Sequence, residues 1–188
     1  MEYSDFSIMD SDLVSASISN VLLRYVEEAL DAFNANESYL IEHDVSERCI
    51  CAKFAAYLEK TLLSTQYKNY DVDVEYNRGR GGNDSAAKTM GGKKIVTDLI
   101  VHKRGKNEEG EYDNLICIEM KKEYKHLDME NDKKRLEVLT DKNCGFYYKL
   151  GLMVVARRDR KRNIDGLYID SIYVNGRKNV KSSICLSF

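Results

Sequence analysis

The 188-residue sequence contains no proline and no tryptophan, only three histidines and an odd number of cysteines, five. The first two absences say nothing about function. The cysteines (49, 51, 117, 144 and 185) include no C-x-x-C pair, and with so few histidines a Cys/His zinc site is not expected. Three of them sit in apolar runs, as reduced, partly buried thiols of a cytosolic protein do. Long hydrophobic runs are also missing. The longest, residues 150–156, is far too short to span a bilayer, and the acidic start lacks the basic and apolar regions of a signal peptide. No membrane association is expected.

What is present reads as one soluble globular domain of the cytosol, 43% apolar and 32% charged. Its net charge of −2 hides an asymmetry. Residues 1–77 carry 5 basic and 15 acidic side chains, whereas residues 78–188 carry 24 and 16. A basic half on an acidic chain points to a surface that faces a polyanion.

Hydrophobic periodicity predicts an amphipathic helix over 11–33, with Val14, Ile18, Val21, Tyr25 and Ala29 on its stripe and Asp10 or Ser11 as cap. A second helix covers 45–63. Strands are expected at 71–77, 95–102, 115–121 and 146–156, a helix at 127–140, and a hairpin of 167–174 with 180–188 turning at Asn175-Gly176. Residues 78–94 read as a loop with five glycines and five basic residues, and 157–162 hold five basic residues and one acidic. From residue 45 the order is α-β-β-β-α-β, a small mixed sheet flanked by helices.

The informative residues are charges that the pattern places indoors. Period two puts Asp98 among Val96 and Ile100, in a strand apolar on both faces. In the next strand Cys117, Glu119 and Lys121 share a face. Two carboxylates and a lysine at neighbouring strand ends offer hard oxygen ligands and a proton handler, the set magnesium chemistry needs; a buried salt bridge is the simpler alternative. On the second helix Glu47 lies mid-face among Cys51, Phe54 and Leu58. It competes with a capping box, Asp44-Val-Ser-Glu47, in which Glu47 would fold back on the helix. On the last helix Met129, Asp132, Leu136 and Leu139 form a stripe. Asp132 could orient a neighbour, and Lys133 and Arg135 read as solvated or within reach of a phosphate. The run 91–94 is no P-loop, since Ala87 and Lys94 stand where Gly and Ser/Thr belong.

Asp98, twenty intervening residues and Glu119-Met120-Lys121 together resemble the PD-(D/E)xK nuclease superfamily. The resemblance is stronger to a group of uncharacterised bacterial members. It rests on Glu75-Tyr-Asn-Arg78, Asp98-Leu-Ile-Val-His102-Lys-Arg104-Gly105, Asn114-Leu-Ile-Cys-Ile-Glu119-Met-Lys121-Lys122 and the Asp-x-x-Arg-Leu stretch at Asp132. Thr97 stands where the motif has proline, a position often replaced in the superfamily. The likeness covers about residues 40–156, leaving 1–39 as a helical extension and 157–188 as a C-terminal hairpin.

It implies a restriction-endonuclease-like core and a metal-dependent nuclease acting on nucleic acid, DNA ahead of RNA. Asp98, Glu119, the Met120 carbonyl and Glu47 would hold Mg²⁺, for which Mn²⁺ can substitute, and Lys121 would complete the catalytic set. Arg78, Arg80, Lys93, Lys94 and Lys133 would contact phosphates. Two alternatives stay open: a non-catalytic nucleic-acid- or protein-binding module of the same fold, such as a defence system would use, and an RNA endonuclease, hinted at by His43. A homodimer is left open.

Overall fold

The computed structural model describes residues 6–77, 89–90, 93–104, 112–123, 129–144, 146–159 and 164–179. Three helices come first: α1 (Phe6–Asn36), the short α2 (Ser38–Glu42) and α3 (Glu47–Leu63). Then follow β1 (Asp71–Val74), the two-residue strands β2 (Thr89–Met90) and β3 (Lys93–Lys94), β4 (Leu99–His102) and β5 (Asn114–Lys122). Helix α4 (Met129–Thr140), β6 (Leu150–Asp159), β7 (Ile164–Val174) and β8 (Arg177–Asn179) complete the chain. Six strands form one mixed sheet in the order β1-β4-β5-β6-β7-β8, and β2 and β3 pair separately. Only β5 and β6 run parallel; such a pair needs a crossover connection, and α4 lies within it. Among the described residues no helix is long and apolar enough to cross a membrane.

The sheet is buried on both faces because the middles of its central strands, 115–118 of β5 and 150–156 of β6, carry apolar residues on both faces. On one face α1 and α3 pack Leu22, Val26, Phe33, Phe54 and Leu58 against Leu99, Ile116, Ile118, Leu152 and Val154. On the other, Leu136 and Leu139 of α4 meet Ile100, Cys117, Met153, Val155 and Tyr148. Helix α1 is thus part of the core. Its buried stripe runs Ser19, Leu22, Val26, Ala29 and Phe33; of the predicted stripe Ala29 is buried, whereas Ile18, Val21 and Tyr25 are only half-buried. It begins at Phe6, so Asp10 and Ser11 lie inside it and cannot be its cap. Among the described residues Cys49, Cys51, Cys117 and Cys144 form no disulfide.

Strand β1 ends at Val74 rather than 77, and β7 starts at Ile164 rather than 167. Three further boundaries differ for a hydrogen-bonding reason. Strand β4 starts at Leu99 rather than 95, because pairing with β1 ends at Val74 and Leu99. Strand β6 starts at Leu150, since the Tyr148 N–H instead donates to the Leu139 carbonyl at the end of α4, 2.9 Å away. At its other end β6 runs on to Asp159 and carries Arg157 and Arg158 into the pairing with β7. The hairpin turns at Asn175-Gly176 as expected, with φ of 52° and 72°. Both residues are left-handed, as a two-residue hairpin turn requires. Its second strand follows at once, at Arg177; residues 180–188 lie outside the described residues.

Asn34 of α1 finishes the sheet where β8 no longer covers β7. Its Nδ2 donates to the Leu167 carbonyl (3.0 Å), and its Oδ1 accepts from the Leu167 N–H (2.8 Å). Glycine at 166 makes the approach feasible, because a Cβ there would stand 2.8 Å from Asn34 Oδ1. Asn34→Ala strips a buried residue of both backbone partners and should cost about 2 kcal/mol. Asn36→Ala, which removes one exposed intrahelical bond (2.7 Å), should stay within about 0.5 kcal/mol. Urea unfolding of the two variants measures the difference.

Candidate metal centre at the ends of strands β4 and β5

Asp98 sits one residue before β4 and ends it. Its carbonyl accepts from the Glu75 N–H (3.0 Å), and its Oδ2 takes the Met120 N–H of β5 (2.8 Å) in place of a ladder bond. This fixes the carboxylate beside Glu119. Asp98 is half-buried and Glu119 is 1% exposed, so the expectation of indoor charges holds fully for Glu119 and in part for Asp98. The two carboxyls stand close enough for each to feel the other's charge.

Burial is the main force on both acids. It lifts Glu119 well above the ordinary carboxylate range, and the Asp98 charge lifts it further. Asp98 is raised too, by burial, against the pull of the Met120 N–H and the Lys121 ammonium. Each of these two carboxyls is therefore harder to ionise than an isolated one.

Helix α4 supplies the cations' anchor. Arg135 Nη1 lies 2.7 Å from Glu119 Oε1, and Nη2 lies 3.1 Å from Asp132 Oδ1. The Lys121 ammonium stands 3.2 Å from Asp132 Oδ2. Burial opposes the charge on Lys121, but Asp132, Asp98 and Glu47 outweigh it and push its pKa up. Arg135 is likewise raised, with Glu119 and Asp132 overcoming burial. The reading of Arg135 as solvated is therefore corrected: it is a half-buried partner of Glu119. The detectable signal was Asp132 on the apolar stripe of α4, a buried acid in need of a cation.

Glu47 reaches the same end of the sheet from the opposite layer. Its Oε1 accepts from the Lys122 N–H of β5 (3.1 Å). The capping box is overturned, because Ser46 is the N-cap of α3 and its side chain accepts from the Cys49 N–H (3.2 Å). Asp44 instead holds the Lys122 ammonium, through its carbonyl (3.0 Å) and its Oδ1 (2.7 Å).

The structure thus brings Asp98, Glu119 and Lys121 together, with Glu47 near enough to act on Lys121 and Met120 between the two acids. Of the predicted phosphate contacts, Arg78 and Arg80 lie outside the described residues, and Lys93 and Lys94 form β3. Lys133 is engaged by Glu130 and Asp170, each at 3.5 Å. His43 is exposed, its ring stacked 3.8 Å from that of Tyr39. A cavity of about 420 Å³, lined by Ile41, Asp44, Ile50, Lys122, Glu123, Ala156 and Arg158, opens on the other side of Lys122 and includes none of the four predicted catalytic residues.

Among the described residues no three His, Cys, Asp or Glu side chains already stand as a ligand cluster. The donor set nonetheless suits a hard divalent cation. Glu47, Asp98, Glu119 and Asp132 face two cations, Lys121 and Arg135, so the fully ionised group is two positive charges short. A dication would supply that deficit and favour the ionised forms of Asp98 and Glu119.

The raised acids make stability pH-dependent. A carboxyl with a folded pKa above its unfolded value contributes most below about pH 4; that contribution declines as pH rises to the folded pKa, and the loss persists above it. Asp98→Asn keeps an acceptor for Met120 without the charge. In metal-free buffer its urea midpoint should gain on wild type steadily from pH 4 upward. A gap that stays constant with pH would remove the burial argument.

Comparison with known proteins adds no assignment: a scan against family models, a search of the curated proteins and a search of the solved structures each found no match.

Proposed function

We propose that the protein is a divalent-metal-dependent nuclease of the PD-(D/E)xK type, with a restriction-endonuclease-like core, that hydrolyses phosphodiester bonds in nucleic acid, DNA ahead of RNA. The observation that carries this reading is the meeting of Asp98, Glu119 and Lys121 at adjacent strand ends, two raised carboxyls beside one ammonium. The order α3-β1-β4-β5-α4-β6 and the arrival of Glu47 at the same place support it.

Asp98 and Glu119 would hold Mg²⁺, or Mn²⁺ in its place, with the Met120 carbonyl and Glu47 completing the shell. When bound, the metal supplies a water of lowered pKa and neutralises charge on the phosphate. The Met120 N–H orients Asp98 by its bond to Oδ2. Lys121 is kept protonated by the carboxylates around it, which suits it to stabilising the negative charge that grows on the phosphate more than to taking a proton. Asp132 fixes the ammonium in place. Lys93 and Lys94 would add phosphate contacts that carry no sequence information.

The ion pairs of Lys121 and Arg135 also fit a second reading, in which the cluster only fastens α4 to the sheet in a non-catalytic binding module. Cleavage assays on DNA and RNA with Mg²⁺ or Mn²⁺, with and without chelator, separate the two. Asp98→Ala and Glu119→Ala should each lower metal-dependent cleavage by about a thousandfold or more, and Glu47→Gln by about a hundredfold. Lys121→Ala should lose cleavage while retaining Mn²⁺ binding. A pure wild-type protein that cleaves neither nucleic acid with either metal sinks the nuclease reading.

A further inference from the structure

Arg135 has three acceptors on three parts of the chain. Its Nη1 reaches Glu119 Oε1 of β5 at 2.7 Å and the Val96 carbonyl at 3.3 Å, and its Nη2 reaches Asp132 Oδ1 of its own helix at 3.1 Å. The shortest of these uses an oxygen of the acid that would bind the metal. The guanidinium's nearest anchor is therefore a metal ligand, and its other two anchors are not.

A guanidinium and a dication cannot both sit against one carboxylate oxygen at close range without strong mutual repulsion. Arg135 can give up Glu119 and keep Asp132 and Val96, so releasing the acid leaves no buried unpaired charge on the arginine. Its side chain is 23% exposed, which leaves room on the solvent side for that shift. Lys121 is differently placed. It pairs with Asp132 and with neither candidate ligand at ion-pair distance, so it can stay where it is when a metal enters.

We infer that Arg135 is an internal counter-cation of Glu119 that a divalent metal must displace, and that Asp132 is the anchor that retains it afterwards. This rests on the metal reading of Asp98 and Glu119. It makes Arg135 a positioning residue that sets metal affinity: it holds Glu119 in line in the metal-free protein and competes with the ion for it. The protein then spends part of its metal-binding free energy on breaking the Arg135–Glu119 pair, and its apparent affinity is the weaker for it.

Mn²⁺ titration by calorimetry, together with thermal unfolding with and without Mn²⁺, tests this on the full chain without any need for cleavage. The variants are Arg135→Gln, Arg135→Lys and, as a reference, Asp98→Ala. Arg135→Gln should melt lower than wild type without metal, bind Mn²⁺ about tenfold more tightly, and show a larger Mn²⁺-induced rise in Tm. Arg135→Lys, which keeps the charge but not the two-pronged fork, should fall between them. Asp98→Ala should show neither binding nor shift. Arg135→Gln that binds Mn²⁺ no better than wild type, while wild type binds and Asp98→Ala does not, overturns the displacement and leaves the metal site standing. A wild-type protein that binds no Mn²⁺ overturns both. Should Arg135→Gln fail to fold, Arg135→Lys alone decides: an affinity at or below that of wild type rejects the proposal.

Discussion

The structure depends on accommodating Glu119. A carboxylate that is 1% exposed within a sheet covered on both faces is costly unless something offsets its charge. The chain offsets it from one direction. Asp98 next to it adds a like charge that makes it harder to ionise, and Arg135 across the layer supplies a guanidinium. Take Arg135 away and the centre of the sheet holds an uncompensated group. That requirement dictates where α4 must lie, because only a helix crossing this end of β5 can bring Arg135 within 2.7 Å. The same helix lies in the connection that joins the parallel strands β5 and β6, so connectivity and charge balance call for one placement.

Asp98 acts through the backbone as much as through its charge. By taking the Met120 N–H onto its side chain and the Glu75 N–H onto its carbonyl, it ends β4 and keeps β1 and β5 in register at once. The segment before it leaves the sheet, and Thr97 is fully buried there, its hydroxyl without a hydrogen-bond partner among the described residues. Nearby, β1 is held to β4 by a second charged group. The Asp73 carboxylate accepts from Arg104 and lies 2.9 Å from His102 Nε2. Burial raises the Asp73 pKa, but Arg104 and His102 together bring it below the ordinary range. The edge strand is thus fastened by ions that favour the charged acid, whereas the site at the other end of β4 holds its acids against charge. One strand joins two opposite electrostatic settings.

The fold was legible where periodicity alone decides. Residues 45–63, 115–121 and 127–140 alternate or repeat clearly enough to be placed within a few residues, and Asn175-Gly176 marks its own turn. The ends of β4 and β6 were not, because side-chain and helix-end hydrogen bonds set them, and these join residues far apart in sequence. The same division holds for the site. Strand parity puts Asp98 with Ile100 and Glu119 with Cys117, so their meeting could be read from spacing. The Glu47 contact could be read only in part: the wheel pointed it at the sheet, but Ser46 as the cap had to be seen before the capping box fell away. Arg135 was missed because it follows Lys133 and Lys134 in a charged run, as on a solvated face, although Asp132 and Leu139 beside it on the helix are buried. What draws it inward is Glu119, sixteen residues earlier on another element.

Net charge shows how these parts serve one purpose. A group that only fastened α4 to the sheet would be best balanced with as many cations as acids. Four carboxylates against two cations leave a deficit, and burial makes Asp98 and Glu119 resist ionising. Replacing one acid by an amide would ease that cost without changing shape, and the chain has not taken that route. An imbalance of two charges, held at a strand end where Lys121 is fixed and charged, suits a site that waits for a dication and a phosphate. Arg135 makes the wait tolerable. It stands against the most buried acid when nothing else does, and it has other anchors when something else arrives.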